Sequence, residues 1–259
     1  MTHIRPVPAT IARLRRQLRE WERSRGTPSP AATGRPAAVE RSGATEVEAA
    51  ERLFPGGCRA GSLVEWLAEG EGTGAATLAL SCVETFLRNG GGRLIVVDDG
   101  DGGCGFHPPG LPPAIDPERI VVVRPRSVPD AWWVVEQSLR CRGVAVTLCR
   151  VRRADDRTLR RWQLAAEHGG GIGLLLRPSA ARRGPSWADV RWLVEPLPCL
   201  SESHGRRWRL ELLHCRGGTT LRAAPPGSAV ELEQDHETGA VRVVSRLAAA
   251  ETDCRAARA

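Results

Sequence analysis

The chain has 259 residues, 41% of them hydrophobic, and a formal charge of +7, enough for one large α/β domain or a domain with appendages. No run reaches the roughly 18 apolar residues of a membrane span, and the N-terminus lacks the apolar core of a secretory leader, so a cytoplasmic protein without membrane contact is expected. The eight cysteines form no C-x-x-C pair, which argues against a zinc site or a disulfide framework and reads several of them as buried thiols.

Residues Thr10 to Arg25 place Ile11, Leu14, Leu18 and Trp21 on one face, with Gly26 just past the end. That spacing predicts an amphipathic helix over 1–26 that needs a surface to pack on. Residues 27–50 are rich in proline, alanine, glycine and serine without periodicity and read as a flexible linker. Strands and helices then alternate through an α/β domain over 51–224.

A strand is expected at Leu63 to Leu67, followed by a glycine-rich loop and a helix through Leu87 that stops at Asn89-Gly90-Gly91-Gly92. Further strands are expected at Arg93 to Asp98, Ile120 to Val123, Val144 to Cys149 and Ile172 to Leu176, with helices at Pro129 to Arg140 and Asp155 to His168. Continuous apolar strands between helices imply a mostly parallel sheet covered on both faces. After Arg177 the pattern turns to strands without helices, at Val190 to Glu195, Trp208 to His214 and Thr219 to Ala223. Over 225–259, Val230 and Leu232 alternate with acids before the turn Asp235 to Gly239, and Val241 to Leu247 returns, the pattern of a β-hairpin.

The chemistry-bearing stretch is the turn, strand, glycine loop and helix from Gly56 to Leu87. That order is how a phosphate-binding loop presents backbone N–H groups and a helix N-terminus to an anion, with Gly70, Gly72, Gly74 and Thr77 as the candidate nucleotide contacts. Against G-x-x-x-x-G-K-[ST], however, Glu69 stands at the first glycine, and Ala75 and Ala76 replace the lysine and the hydroxyl that holds magnesium. All 37 basic residues are arginine, so no neighbouring lysine substitutes. Glu69 and Glu71 bring like charge towards a triphosphate. The fourth strand runs into Arg150 where an ATPase would carry a carboxylate, and Asp155 and Asp156 read as helix cap and first turn. The loop is expected to be a degenerate phosphate loop without ATP turnover, with no catalytic residue, metal site or cofactor.

Asp98, Asp99 and Asp101 at a strand tip, and His107 in a Phe-His-Pro-Pro loop, are read chiefly as a solvated turn and a packed loop histidine. Arg152, Arg153, Arg157, Arg160, Arg161, Arg182 and Arg183 form either a basic stripe for the phosphate backbone of DNA or a solvated face. Eight tryptophans, Trp132 and Trp133 among them, are assigned to core packing rather than base stacking.

Gly56 to Glu65 with Thr77-Leu78-Ala79-Leu80 resembles the RecA core around its nucleotide motif. Glu118 to Pro125, Ala131-Trp132 with Glu136 to Arg140, Leu159 to Glu167 and Leu174 to Pro178 resemble the ImuA proteins of bacterial translesion synthesis. The likeness covers roughly 53–218, and its middle block is the most specific part. It implies a RecA-like α/β core with an N-terminal tethered helix and a C-terminal hairpin. It also implies an accessory role in SOS-induced mutagenesis beside an ImuB-like polymerase homologue, an error-prone polymerase III α-type subunit and RecA itself. The alternatives are a weak ATP-binding, DNA-binding RecA-like protein and a SulA-like division inhibitor.

Overall fold

A computed structural model describes residues 59–90, 92–98, 106, 115–199, 205–216, 227–235 and 238–247, all within the compact unit Ala44–Ala259. The expected N-terminal helix and linker, the strand at Thr219 to Ala223, His107, Asp99 and Asp101 lie outside the described residues.

The described elements form a single nine-stranded sheet with helices between its parallel strands. They are β1 (Leu63–Ala68), α1 (Ala75–Gly90), β2 (Arg93–Val97), β3 (Ile120–Val123), α2 (Val128–Arg140), β4 (Val144–Arg150), α3 (Asp156–Gly169), β5 (Ile172–Pro178), β6 (Val190–Leu197), β7 (Arg206–Cys215), β8 (Ala229–Gln234) and β9 (Val241–Leu247). The strand order is β3-β2-β4-β5-β1-β6-β7-β8-β9. β3 through β6 run parallel, and β7, β8 and β9 are antiparallel additions that carry the sheet outwards.

The parallel half follows from composition. Strands β1, β2, β4 and β5 are apolar nearly end to end because helices or loops cover both faces, whereas β3, at the sheet edge, is only partly buried. In β7 the pattern changes to strict alternation, with Trp208, Leu210 and Leu212 buried and Arg207, Arg209 and Glu211 on the opposite face. On that face Arg207 pairs with Glu231, Arg182 with Glu211 and Arg242 with Glu233. The antiparallel wing therefore offers a charge-balanced surface.

Helix ends are set by local chemistry. Ser127 caps α2, its Oγ accepting the Asp130 N–H at 3.3 Å, and Asp155 caps α3, its Oδ1 accepting the Thr158 N–H at 2.8 Å. Helix α3 stops at Gly170, whose φ of 79° is the left-handed cap and whose N–H bonds the Ala166 carbonyl at 2.8 Å. Asp155 and Asp156 thus take the cap and first-turn places expected of them. Trp66, Trp162, Trp192 and Trp208 are buried, and Trp132 meets Trp162 edge-on at 6.5 Å, so these indoles serve packing.

One expectation is corrected. The spacing argued against disulfides, yet Cys82 is disulfide-bonded, while Cys141, Cys149, Cys199 and Cys215 remain thiols; spacing alone does not reveal which cysteines the fold brings together. Among the described residues no helix is long and apolar enough to cross a membrane.

Candidate functional site

Strand β1 lies between β5 and β6, and the chain leaves its C-terminal end through the loop Glu69 to Gly74 to open α1. Two glycines shape that loop, Gly72 with φ 74° and Gly74 with φ 95°, values that side chains rarely adopt. The Thr73 hydroxyl closes a turn on the Gly70 carbonyl at 2.8 Å, and the Leu78 N–H begins the helix on the Gly74 carbonyl at 2.9 Å. The unbonded N–H groups of the first turn of α1 therefore face the end of the sheet.

Above this loop lies a cavity of about 880 Å³. Gly70, Gly72, Gly74 and Thr77 all line it, so the structure brings the four sequence-derived contacts together. Ala75 and Ala76 also line it and bring no charge or hydroxyl to it. Arg150, which ends β4, pairs with Glu71 across the cavity. The end of β4 thus carries a cation already engaged by the loop.

The seven candidate DNA-binding arginines are dispersed. Arg152 and Arg153 line the cavity. Arg157 is exposed on α3, whereas Arg160 lies over the Trp187 ring at 4.5 Å and Arg161 pairs with Glu136 of α2. Arg182 is held by Glu211 at 3.2 Å, and Arg183 is exposed beside it. Asp98 accepts from the Phe106 N–H and from Arg124, each at 3.3 Å, which ties the tip of β2 to the chain after β3.

Sequence reasoning missed three features. Arg206, at the start of β7, reaches the same cavity from the antiparallel wing. Trp208, two residues on, packs against Gly74. Glu65, in the middle of β1, is fully buried, with Oε1 2.7 Å from Arg177 Nη1 and Oε2 2.8 Å from Arg191 Nε. Those arginines also donate to the Pro185, Ala181 and Arg182 carbonyls, so Glu65 anchors the loop between β5 and β6. The one available signal was an acid in an otherwise apolar strand, which requires buried partners. Arg177 is both an anchor of that loop and part of the cavity wall.

The fold and the loop define an α/β protein with a mixed sheet and a glycine-loop cavity at the end of its central strand. No protein-family model matches the chain. Two curated relatives, both called Protein ImuA, come from Caulobacter vibrioides strains NA1000 / CB15N and ATCC 19089 / CIP 103742 / CB 15. Each is 32% identical over 146 residues, a match covering 50% of this chain and 57% of the relative. The chain is similar to these ImuA proteins, and it spans little more than half the length of the curated relatives it matches.

Proposed function

We propose that this protein is a RecA-like accessory factor of damage-induced translesion DNA synthesis, one that holds polymerase subunits in the cytoplasm without turning over nucleotide. The observation that carries the reading is a phosphate-loop frame stripped of its chemistry. Ala75 and Ala76 open α1, and β4 ends in Arg150, which is paired with Glu71. Phosphoryl transfer needs a cation at the β- and γ-phosphates and an ordered magnesium shell, and neither has a side chain at the expected place. The likeness to ImuA supplies the pathway, and an ImuB-like polymerase homologue and an error-prone polymerase III α-type subunit are the partners it suggests.

Two measurements test this. Purified protein with ATP and magnesium should release phosphate at the background rate, and magnesium-dependent turnover would overturn the non-hydrolysing part. Tagged protein should co-purify with the two polymerase subunits of its own cell after DNA damage. Recovery of neither subunit would remove the adaptor role.

A further inference from the structure

The cavity at the end of β1 has a second character beyond its missing nucleotide groups. Its wall carries five arginines, at 150, 152, 153, 177 and 206, against two glutamates, and Glu71 is already engaged by Arg150. The side chains of Arg153 and Arg206 make no ion pair or hydrogen bond with any described residue, and both are exposed at the mouth. Arg177 is almost wholly buried, and its Nε has no partner among the described residues. The remaining lining is largely small and apolar: Ala68, Ala154, Leu176, Pro178, Ala180 and Ala181. The first-turn N–H groups of α1 add partial positive charge at the floor.

That combination selects among anions. A magnesium triphosphate loses its lysine and its hydroxyl here, and it concentrates several charges in a cavity that Glu69 also lines. A nucleic-acid strand presents a phosphate at every step, with no apolar side chains to fill the alanine and leucine walls. Carboxylates spaced along a polypeptide carry one charge each, match the planar guanidinium in paired hydrogen bonds, and alternate with side chains that suit the alanine and leucine walls. We infer that the cavity is a docking site for an acidic, partly apolar peptide segment of a partner protein. Its carboxylates sit on Arg153, Arg206 and the N-terminus of α1. This rests on the adaptor reading for its biological sense but not for its measurement.

The probe is a fluorescein-labelled nine-residue peptide alternating aspartate and leucine, titrated with the full-length protein and followed by anisotropy. Its asparagine-leucine counterpart, ATP with magnesium and a fifteen-nucleotide oligo-dT are the comparison ligands. The aspartate peptide should bind, the asparagine peptide should bind at least tenfold more weakly, and R153E/R206E should weaken the aspartate peptide by at least tenfold. Circular dichroism of the variant should be unchanged, since both side chains are exposed. As a second variant, Arg157→Glu, on α3 and outside the cavity lining, should leave binding within twofold.

Absence of aspartate-peptide binding, equal loss with Arg157→Glu, or tighter binding of oligo-dT or ATP than of the peptide would each overturn the inference. Co-purification separates it from the adaptor role. Polymerase subunits recovered equally with wild type and R153E/R206E would sink the cavity as the docking point and leave the adaptor standing. Peptide binding without recovery of the subunits would do the reverse.

Discussion

Gly74 and Trp208 are in contact across the sheet, and a Cβ built on Gly74 would stand 2.0 Å from Trp208 Nε1. The glycine that begins α1 is therefore required by packing as well as by its φ of 95°. Gly74→Ala should destabilise the protein by about 3 kcal/mol, from backbone strain and overpacking together. Trp208→Ala should cost about 3–5 kcal/mol through the lost buried indole. The double variant should cost less than the sum, because removing the indole relieves the clash. Urea unfolding of the four proteins measures this, and strict additivity would show that the contact is not felt. A bulky residue at Gly74 accordingly tests the fold before it tests any ligand.

Glu65 pairs with the buried Arg177 and the partly buried Arg191, so removing it leaves both cations without their carboxylate. Glu65→Ala should cost about 3–5 kcal/mol. Replacing all three members with apolar residues, as in E65L/R177M/R191L, should recover most of that loss, because the desolvation of three charges is removed with them. Proteolysis adds a local readout. In Glu65→Ala the segment Ser179 to Trp187 should be cleaved faster than in wild type, since its carbonyl contacts run through Arg177 and Arg191. Unchanged cleavage there would mean that the loop is held by other contacts.

The parallel half of the sheet was legible in the sequence because each apolar run was bounded by its own cap or glycine. The run Ile120–Val123 coincides with β3, and Val144 to Cys149 falls one residue short of β4. The hairpin of β8 and β9 was legible from alternation around Asp235 to Gly239. What the sequence did not reveal depends on distant pairing. Glu65 finds its partners 112 and 126 residues away, and β6 returns beside β1 through no α-helix, only the short 3-10 helix Ser179–Arg183. Arg206 carries no local sign that it will face the loop 69–77 from the other half of the sheet. The glycine loop itself was recognisable, but that Trp208 occupies the space beside Gly74 follows only from the fold.

Restoring two residues should not restore nucleotide chemistry. In A75K/A76T the lysine and the hydroxyl return, but β4 still ends in Arg150, paired with Glu71, and no strand-end carboxylate orders a metal. ATP hydrolysis by the double variant should stay at background. Adding Arg150→Asp supplies that carboxylate and frees Glu71 together, so the triple variant is the one in which metal-dependent turnover would first appear. Turnover in A75K/A76T alone would mean that another acid serves, and would weaken the argument from Arg150.

Asp155 ties stability to pH through a helix cap. The Thr158 hydroxyl first, and then the Thr158 backbone N–H, hold its carboxyl below the usual value by hydrogen-bonding the charged form. A carboxylate with a lowered folded value stabilises the folded state above its unfolded value, near about 3.9. That contribution fades as pH falls below it and through the folded value. Asp155→Ala should therefore melt at a lower temperature than wild type at neutral pH, and the gap should close as the pH falls through the lowered folded value in acid. Asp155→Asn keeps a capping oxygen without the titrating charge, so its melting temperature should lie between the two at neutral pH. Thermal melts across that range decide it. A gap between wild type and Asp155→Ala that persists unchanged in acid would place the effect in packing around Thr158 rather than in the charge of the cap.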